Sequence, residues 1–338
     1  MVTGMALNAE RALLQRLAEG PVGGHVLAAE AGQTRAAVWK RVAALRAAGV
    51  AIEAVPGRGY ALARPLDLLD AAQIRAGLGH GIESAIAALE VAWSIDSTNA
   101  ELLRRPAPRA GVAVLLAERQ TGGRGRRGRS WASPLAANLY LSLGRVFEGG
   151  LARLGGLSLV VGVAVAEALQ ALGADSVRVK WPNDLVVVDA GSPGSLRKLG
   201  GVLVEGGGEH AGPVHAVVGI GLNLAMPPAA AQAIDQPWVD LVELVPACTR
   251  NAVAATLLSR LVPALEMFDR DGLVPFADRY ARLDTLAGWA VEVRAGRVVH
   301  AGVACGIAAD GALRVRTADG ERQHHAGEVS VRRTGAGS

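Results

Sequence analysis

Cysteine is nearly absent. Cys248 and Cys305 are the only two in 338 residues and are isolated from each other in sequence. Such a pair reads as two small buried hydrophobes rather than a disulfide or a metal site, and it fits a reducing cytoplasm. Aromatic side chains are almost as scarce, 4% of the chain against 51% hydrophobic overall, so a compact soluble core has to be built from Ala, Val and Leu. No uncharged apolar run reaches the roughly 20 residues of a bilayer span; a prominent one, Leu154 to Ala166, is too short. No membrane partner is expected. The N-terminus also lacks a basic segment leading into an apolar core, which argues against a secretory signal.

Length argues for two or three domains rather than one core. The net charge of +4 is unevenly spread. Residues 1–65 hold eight basic side chains (Arg11, Arg16, Arg35, Lys40, Arg41, Arg46, Arg58, Arg64) and four acids (Glu10, Glu19, Glu30, Glu53), so the remaining residues sum to zero. The whole positive excess sits where a polyanion would be met.

The spacing of Leu13, Leu14 and Leu17 predicts a helix over residues 8–20, ended by Gly20-Pro21. A short helix from His25 to Ala31 and a turn at Gly32-Gln33-Thr34 follow, with Thr34 as N-cap of a third helix, Arg35 to Ala48. That helix buries Val38, Val42 and Leu45 and leaves Arg35, Lys40, Arg41 and Arg46 to solvent. Two short β segments, Val50–Val55 and Tyr60–Ala63, flank the basic tip Pro56-Gly57-Arg58-Gly59. Together they form a helix-turn-helix with a wing, whose last helix enters the major groove. Thr34, Arg35, Lys40, Arg41 and Arg58 are the candidate DNA-binding residues. A small bundle used for protein contacts is the bland alternative, and the wing and charge excess argue against it.

The middle of the chain is organised around Glu118 to Trp131, ERQTGGRGRRGRSW, with five arginines, four glycines and one acid at its edge. It has too little apolar surface to bury itself. It can fold over an anion, because glycines let backbone N–H groups approach phosphate and arginines supply forks of donors. No Gly-Lys-Ser/Thr closes it, so it is not a P-loop. Apolar strands flank it at Val112–Ala117 and Ala137–Leu143.

Around this loop the pattern predicts a linker helix over Leu66–Leu78, a strand at Val91–Ile95 and a helix from Ala100. An apolar helix over Gly156–Leu172 comes later, then strands at Leu185–Val188, Leu199–Val204 and Val214–Leu224. Ser97-Thr98-Asn99 on its own reads as a helix cap, and Lys198 on its own as a strand-end lysine facing water. Gly219 and Gly221, inside a strand, point to something approaching the backbone closely. Asn251–Phe268 is an amphipathic helix and another runs to Leu283; beyond Trp289, short β segments with Asp310-Gly311 and Asp319-Gly320 turns suggest a small barrel.

Ser97-Thr98-Asn99, then Gln120 to Trp131 with GRGRRGR, KWPND at Lys180–Asp184, RKLGGVLVE at Arg197–Glu205, GIGLN at Gly219–Asn223 and GEVSVR at Gly327–Arg332 occur in that order. In combination they resemble the bacterial bifunctional biotin–protein ligase and biotin-operon repressor family over nearly the whole chain. GQTRAAVWK (Gly32–Lys40) and PGRGY (Pro56–Tyr60) resemble its recognition helix and wing. The resemblance implies an α+β multidomain protein: a winged helix-turn-helix over residues 1–65, a mixed-sheet α/β ligase domain over 66–285 and an SH3-like β-barrel over 286–338.

It also implies the chemistry. Biotin and ATP with Mg2+ give biotinyl-5′-AMP, and the biotinyl group passes to a lysine of the biotin carboxyl carrier protein of acetyl-CoA carboxylase. Operator DNA and a ligand-linked homodimer are the further partners implied. Carried over by position, Ser97, Thr98, Asn99, Gln120, Gly123, Arg124, Gly125, Arg126, Arg129 and Trp131 bind biotin or its adenylate. Lys180, Asn183, Gly201 and Asn223 complete the substrate set with Lys198, and Lys198 and Arg126 are the catalytic pair; no metal is held by the protein alone. Lys198, rather than Lys180, is assigned to the carboxylate and phosphate oxygens, with Lys180 at the nucleotide side.

Two departures stand out. The connection Ala190–Leu196 is longer than usual in the family and is expected to be mobile, and the second helix starts at Gly23-Gly24, where the family often has a Ser or Thr cap. The rival readings are a biotin-sensing regulator without ligase activity, which needs no Lys198, and a lipoate–protein ligase, which leaves GRGRRGR unexplained. Because every ligase motif begins at or beyond Ser97, removal of residues 1–65 is expected to leave carrier labelling intact. The Arg/Gly loop, with nothing to pack on, is expected to order only over the adenylate.

Overall fold

The computed structural model describes residues 2–189, 195–208, 212–232, 234–295, 298–327 and 329–334. The longer connection expected before Lys198 falls largely outside them.

Three helices open the chain, α1 (Val2–Ala18), α2 (Gly24–Glu30) and α3 (Arg35–Ala47). Leu13, Leu14 and Leu17 of the first meet Leu27, Val38, Val42 and Leu45 in one buried cluster, as the apolar spacing requires. Thr34 caps α3 by accepting from Ala37 N at 3.2 Å, whereas α2 starts at Gly23 with no side-chain cap. Strands β1 (Ile52–Val55) and β2 (Gly59–Leu62) form the wing hairpin. Gly59, at φ +92, has no room for a side chain: a Cβ there would sit 2.3 Å from Val22 O.

The linker differs from expectation. Helix α4 covers only Ala71–Ala76, capped by Asp70. Residues 65–69 are non-helical because their polar groups are taken elsewhere: the Asp67 carboxylate accepts from Arg250 N and its carbonyl from Arg250 Nη1 at 2.8 Å, while Leu69 N donates to Glu118 Oε1 at 2.5 Å.

A seven-stranded mixed sheet follows, built from β3 (Ile86–Ala92), β4 (Val112–Ala117), β5 (Leu139–Phe147), β6 (Val177–Lys180), β7 (Asp184–Val188), β8 (Leu196–Gly208) and β9 (Val214–Leu222). Its order is β3-β4-β5-β9-β8-β7-β6, with only the β3–β4 pair parallel. Alternation sorts the side chains. Val114, Leu116, Leu141, Leu143, Val218 and Ile220 enter the main core, which includes α6 (Leu157–Ala171) and α9 (Arg250–Asp271); Leu115 and Val217 face α5 (Thr98–Arg104). With the turn before it, α6 is long and apolar enough to cross a bilayer by composition, yet most of that segment is buried inside the fold. Short helices α7 (Pro228–Ala231), α8 (Leu241–Leu244) and α10 (Ala277–Leu283) complete this part.

Strands β10 (Ala290–Ala295), β11 (Val298–Ile307), β12 (Leu313–Thr317), β13 (Gly320–His324) and β14 (Val329–Arg333) form a small antiparallel sheet in the order β13-β12-β11-β10-β14. The two Asp-Gly turns connect β11 to β12 and β12 to β13. Val291, Val293, Leu313 and Val315 merge with the core of the large sheet, and Trp181 Nε1 donates to Gly311 O at 3.0 Å.

Contacts also tie the first 65 residues to the rest. Leu135 and Ala136 belong to the cluster of the N-terminal helices, and Leu135 N donates to Ala48 O at 2.8 Å. Arg64 donates to Ala225 O at 2.9 Å. The N-terminal unit is therefore packed onto the segment that follows the Arg/Gly loop, which the positions of the sequence motifs did not foretell.

Candidate active site

One end of the sheet is floored by glycine. Ser142, Gly219 and Leu203 are in register across three strands, and so are Tyr140, Gly221 and Gly201. A Cβ on Gly219 would lie 2.3 Å from Asn99 Oδ1, and one on Gly221 2.5 Å from the Trp131 ring. The sheet is bare here because other side chains lie flat on it.

Above this floor, Ser97 caps α5 through Ala100 N. Thr98 N and Oγ1 both donate to Gln120 Oε1, at 2.9 and 3.1 Å, and Gln120 Nε2 donates to Ser133 Oγ at 3.2 Å. Asn99 lines the cavity with its polar atoms engaged within the protein. Its amide donates to Leu203 O (3.2 Å) and Glu205 Oε2 (2.8 Å), and its oxygen lies 2.6 Å from Ser142 Oγ. Asn223 is likewise spent: its amide donates to the carbonyls of Lys198 and Val239 at 3.3 and 3.4 Å. Asn99 and Asn223 thus hold strands and the backbone of Lys198 in place.

The Arg/Gly loop is folded on partners, contrary to the expectation that it has none. Gly125 N donates to Arg129 O (2.7 Å) and Trp131 N to Gly123 O (2.9 Å). Gly123 is required there, since a Cβ would meet Ser133 Oγ and Trp131 O at 2.7 Å. Arg127 takes a left-handed φ of 60, unusual for a non-glycine. Arg124 pairs with Glu205 at 3.1 Å. Arg126 donates to Asn183 Oδ1 (3.2 Å), to Gly327 O (2.8 Å) and to Ala326 O, so this one guanidinium joins the loop, the KWPND turn and the C-terminal sheet. Burial disfavours its charged form and pulls its pKa down.

Two lysines flank one acid. Lys198 Nζ lies 2.7 Å from Asp184 Oδ1 and 5.5 Å from the centre of the Trp131 ring. Lys180 is the cross-strand partner of Asp184. Burial lowers the Lys180 pKa, Asp184 opposes that, and Lys198 adds repulsion. Among the described residues neither Lys180 nor Arg126 forms an ion pair, so the site holds positive charge beyond its two matched pairs.

These groups line one cavity of about 480 Å3, together with Arg129, Asn183, Gly201 and Arg332. The size is that of a small-molecule site. Gly123 and Asn223 support the cavity without lining it. Missed residues include Asp184 and Glu205, both inside quoted motifs, whose signal was an acid among bases. A third is Arg250, 1% exposed, which pairs with buried Glu118 at 2.6 Å and donates twice to Asn138 O. It ties both roots of the loop region to α9. Nothing local marks it.

On α3, Arg35 and Lys40 face solvent with Arg58 on the wing, but Arg41 donates to Gln33 Oε1 at 2.6 Å and Arg46 to Ile52 O at 2.8 Å. Arg41 is therefore part of the internal bracing of this unit.

Comparison with known proteins agrees with this layout. Residues 91–223 match the biotin/lipoate A/B protein ligase family, residues 10–61 an HTH domain family and residues 288–332 the biotin protein ligase C-terminal domain. The chain is 41% identical over 321 residues to the bifunctional ligase/repressor BirA of Escherichia coli, covering 95% of this chain and 96% of that one. It is 34% identical over 241 residues to the biotin–[acetyl-CoA-carboxylase] ligase of Paracoccus denitrificans, covering 69% and 96%. Among solved structures, the biotin protein ligase of Aquifex aeolicus in complex with biotin and ATP superposes with a TM-score of 0.60 at 27% identity, over 73% of this chain and all of that one. An Arg/Gly loop clasped over a lysine-rich cavity, with a helix-turn-helix packed beside it, places this chain in the family of bifunctional biotin ligase/repressors.

Proposed function

We propose that the chain joins biotin to ATP as biotinyl-5′-AMP, passes the biotinyl group to a lysine of the biotin carboxyl carrier protein of acetyl-CoA carboxylase, and uses the adenylate to control binding to operator DNA. The observation that carries this reading is the single cavity that collects Thr98–Gln120, the Arg/Gly loop and the pair Lys180 and Lys198 about Asp184.

In the first half-reaction a biotin carboxylate oxygen bonds to the α-phosphorus of ATP and the bond to pyrophosphate breaks. Two anions must meet, so the barrier is set by where positive charge is held. Lys198 and Arg126 stand at the junction of carboxylate and phosphate, Lys180 and Asn183 on the nucleotide side, and Thr98 with Gln120 at the biotin ring. Arg124 exchanges Glu205 for ligand oxygen, and Trp131 lies over Gly221 as a lid that keeps water from the mixed anhydride. In the second half-reaction the carrier lysine amine bonds to the biotinyl carbonyl carbon and AMP leaves with the electron pair.

Among the described residues no three His, Cys, Asp or Glu converge on a metal site. The Asp184 carboxylate fits Mg2+ arriving with ATP, because that ion is commonly held by one or two carboxylates plus phosphates and water. When bound it neutralises phosphate charge; Asp184 would hold it, and Lys198, released, would turn to the substrate. The two free cysteines suit the cytoplasm. For the repressor half, adenylate binding favours a homodimer that presents two α3 helices to two half-sites, and it does so only by its differential affinity for the dimer-competent state.

Two measurements test this. Pyrophosphate exchange into ATP should require biotin, with lipoate unable to replace it; exchange with lipoate alone would favour the lipoate ligase reading. Sedimentation with a non-hydrolysable adenylate analogue should show tighter self-association than without it. An unchanged monomer at concentrations that bind DNA would remove the dimer mechanism and leave the ligase intact.

A further inference from the structure

The exposed side of α3 carries an indole that nothing in the ligase or in the folding of the N-terminal unit uses. Trp39 is 60% exposed, while Trp181, Tyr140, Phe147, Phe276 and Tyr280 are all nearly fully buried. Positions 35, 36, 39, 40 and 43 are exposed and spaced as one helical stripe, so Trp39 stands in the second turn between Arg35 and Lys40. A groove of about 820 Å3 runs beside it, bounded by Arg35, Ala36 and Trp39 on the helix side, Arg58 and Tyr60 on the wing and His25 at one end.

The side chains that usually read adenine are missing from this stripe or already engaged. Thr34 Oγ1 caps the helix, and Gln33 Oε1 accepts from Arg41 at 2.6 Å, which removes the two-point pairing a glutamine makes with adenine. Arg35 and Lys40 remain, and both suit guanine. The indole and the Ala36 and Ala43 methyls remain as well, and their apolar surfaces suit the 5-methyl group that thymine presents in the major groove. We propose that Trp39 reads A·T pairs in the operator by packing on a thymine methyl in the major groove, between flanking phosphate and guanine contacts from Arg35 and Lys40. Duplex DNA is the occupant because the groove between the stripe and the wing tip is lined by Arg35 and Arg58 and by no acid, and the whole chain's net positive charge lies in this unit. The inference rests on the DNA-binding reading and goes beyond it to the base that is read.

The test uses the full chain with a non-hydrolysable adenylate analogue. Bound duplexes are selected from a randomised library, and the recovered sequence becomes the probe. Replacing each thymine by uracil deletes one methyl and keeps every hydrogen bond. For the wild type, uracil at one position per half-site should weaken binding about fourfold or more, the worth of one buried methyl-sized group. Trp39→Ala should bind the probe about tenfold or more weakly, lose that uracil penalty, and keep the salt dependence set by phosphate contacts. Trp39→Phe should retain part of the penalty. Carrier labelling by Trp39→Ala should equal wild type, which establishes that the variant is folded. An unchanged uracil penalty in Trp39→Ala overturns the inference while DNA binding stands. So does an equal loss on a scrambled duplex, or an altered monomer–dimer equilibrium without DNA. If the wild type recovers no sequence, the DNA-binding reading fails and this inference fails with it.

Discussion

Replacing Lys198 by alanine removes one of the two ammonium groups that flank Asp184, and the structure sets the size of the effect. Lys198 Nζ sits 2.7 Å from Asp184 Oδ1 with its side chain 18% exposed, so it is largely shielded yet open to the cavity. A unit charge about 4 Å from a developing charge, at an effective dielectric constant of about 20, is worth about 4 kcal/mol. Asp184 screens part of this in the resting site, and loss of one preorganised donor costs about 3–4 kcal/mol in comparable sites. Adenylate formation should therefore fall by about two to three orders of magnitude. The fold should survive, because Asp184 keeps Lys180 as a cross-strand neighbour. Biotin-dependent pyrophosphate exchange gives the rate, and a urea melt checks stability. Exchange within a few fold of wild type in a stable Lys198→Ala protein would refute the assignment of Lys198 to the reacting centre.

Gly221→Ala drives a methyl into the Trp131 ring, 2.5 Å away, so the lid should seat poorly; the half-life of bound biotinyl-AMP should shorten by about tenfold with little change in the melting transition, read by isotope chase. Asp240 is pushed up by burial to about 6 from 3.8, and its Oδ1 has no partner. The native state therefore binds this proton more tightly than the unfolded chain, and stability falls as pH rises from about 4 to about 6, by up to about 3 kcal/mol. Asp240→Asn should remove that slope and be the more stable protein at pH 7. Parallel urea-midpoint curves for the two proteins would contradict it. Deleting residues 1–65 exposes Leu135 and Ala136, which pack on the lost helices just beyond the loop. The truncated protein should lose DNA binding and also bind biotinyl-AMP about tenfold or more weakly by calorimetry, unlike the intact labelling expected from motif positions alone.

Where local chemistry decides, the chain is legible. Thr34 and the Val38–Val42–Leu45 stripe defined α3, and the apolar run Val112–Ala117 became β4 without change. Where a distant partner decides, the chain is silent. The 66–78 stretch looked helical, but Asp67 answers to Arg250 across 183 residues of sequence. Glu118 looked like the acid at the edge of a loop and is a buried ion-pair partner. Motif membership sets Asn223 beside Asn99 among ligand contacts, yet Asn99 lines the cavity and Asn223 does not, because spacing reports neither side-chain direction nor which carbonyls compete for an amide. The Arg/Gly loop was recognisable by composition, but its anchors Glu205, Asn183 and the carbonyls of Ala326 and Gly327 lie up to 201 residues away. The resemblance assigns both Lys180 and Lys198 to the site, but the acid between them, Asp184 on the strand between theirs, emerges only from the pairing of β6, β7 and β8.

The central claim is that one chain makes the adenylate and delivers its acyl group to a carrier lysine. It is tested most directly by incubating the full protein with ATP, Mg2+, a purified biotin carrier domain and labelled biotin or labelled lipoate, then weighing the carrier. One biotinyl group per carrier is expected, dependent on ATP and on the carrier lysine, with no lipoyl transfer. A carrier left unmodified by biotin, or modified by lipoate instead, would contradict it.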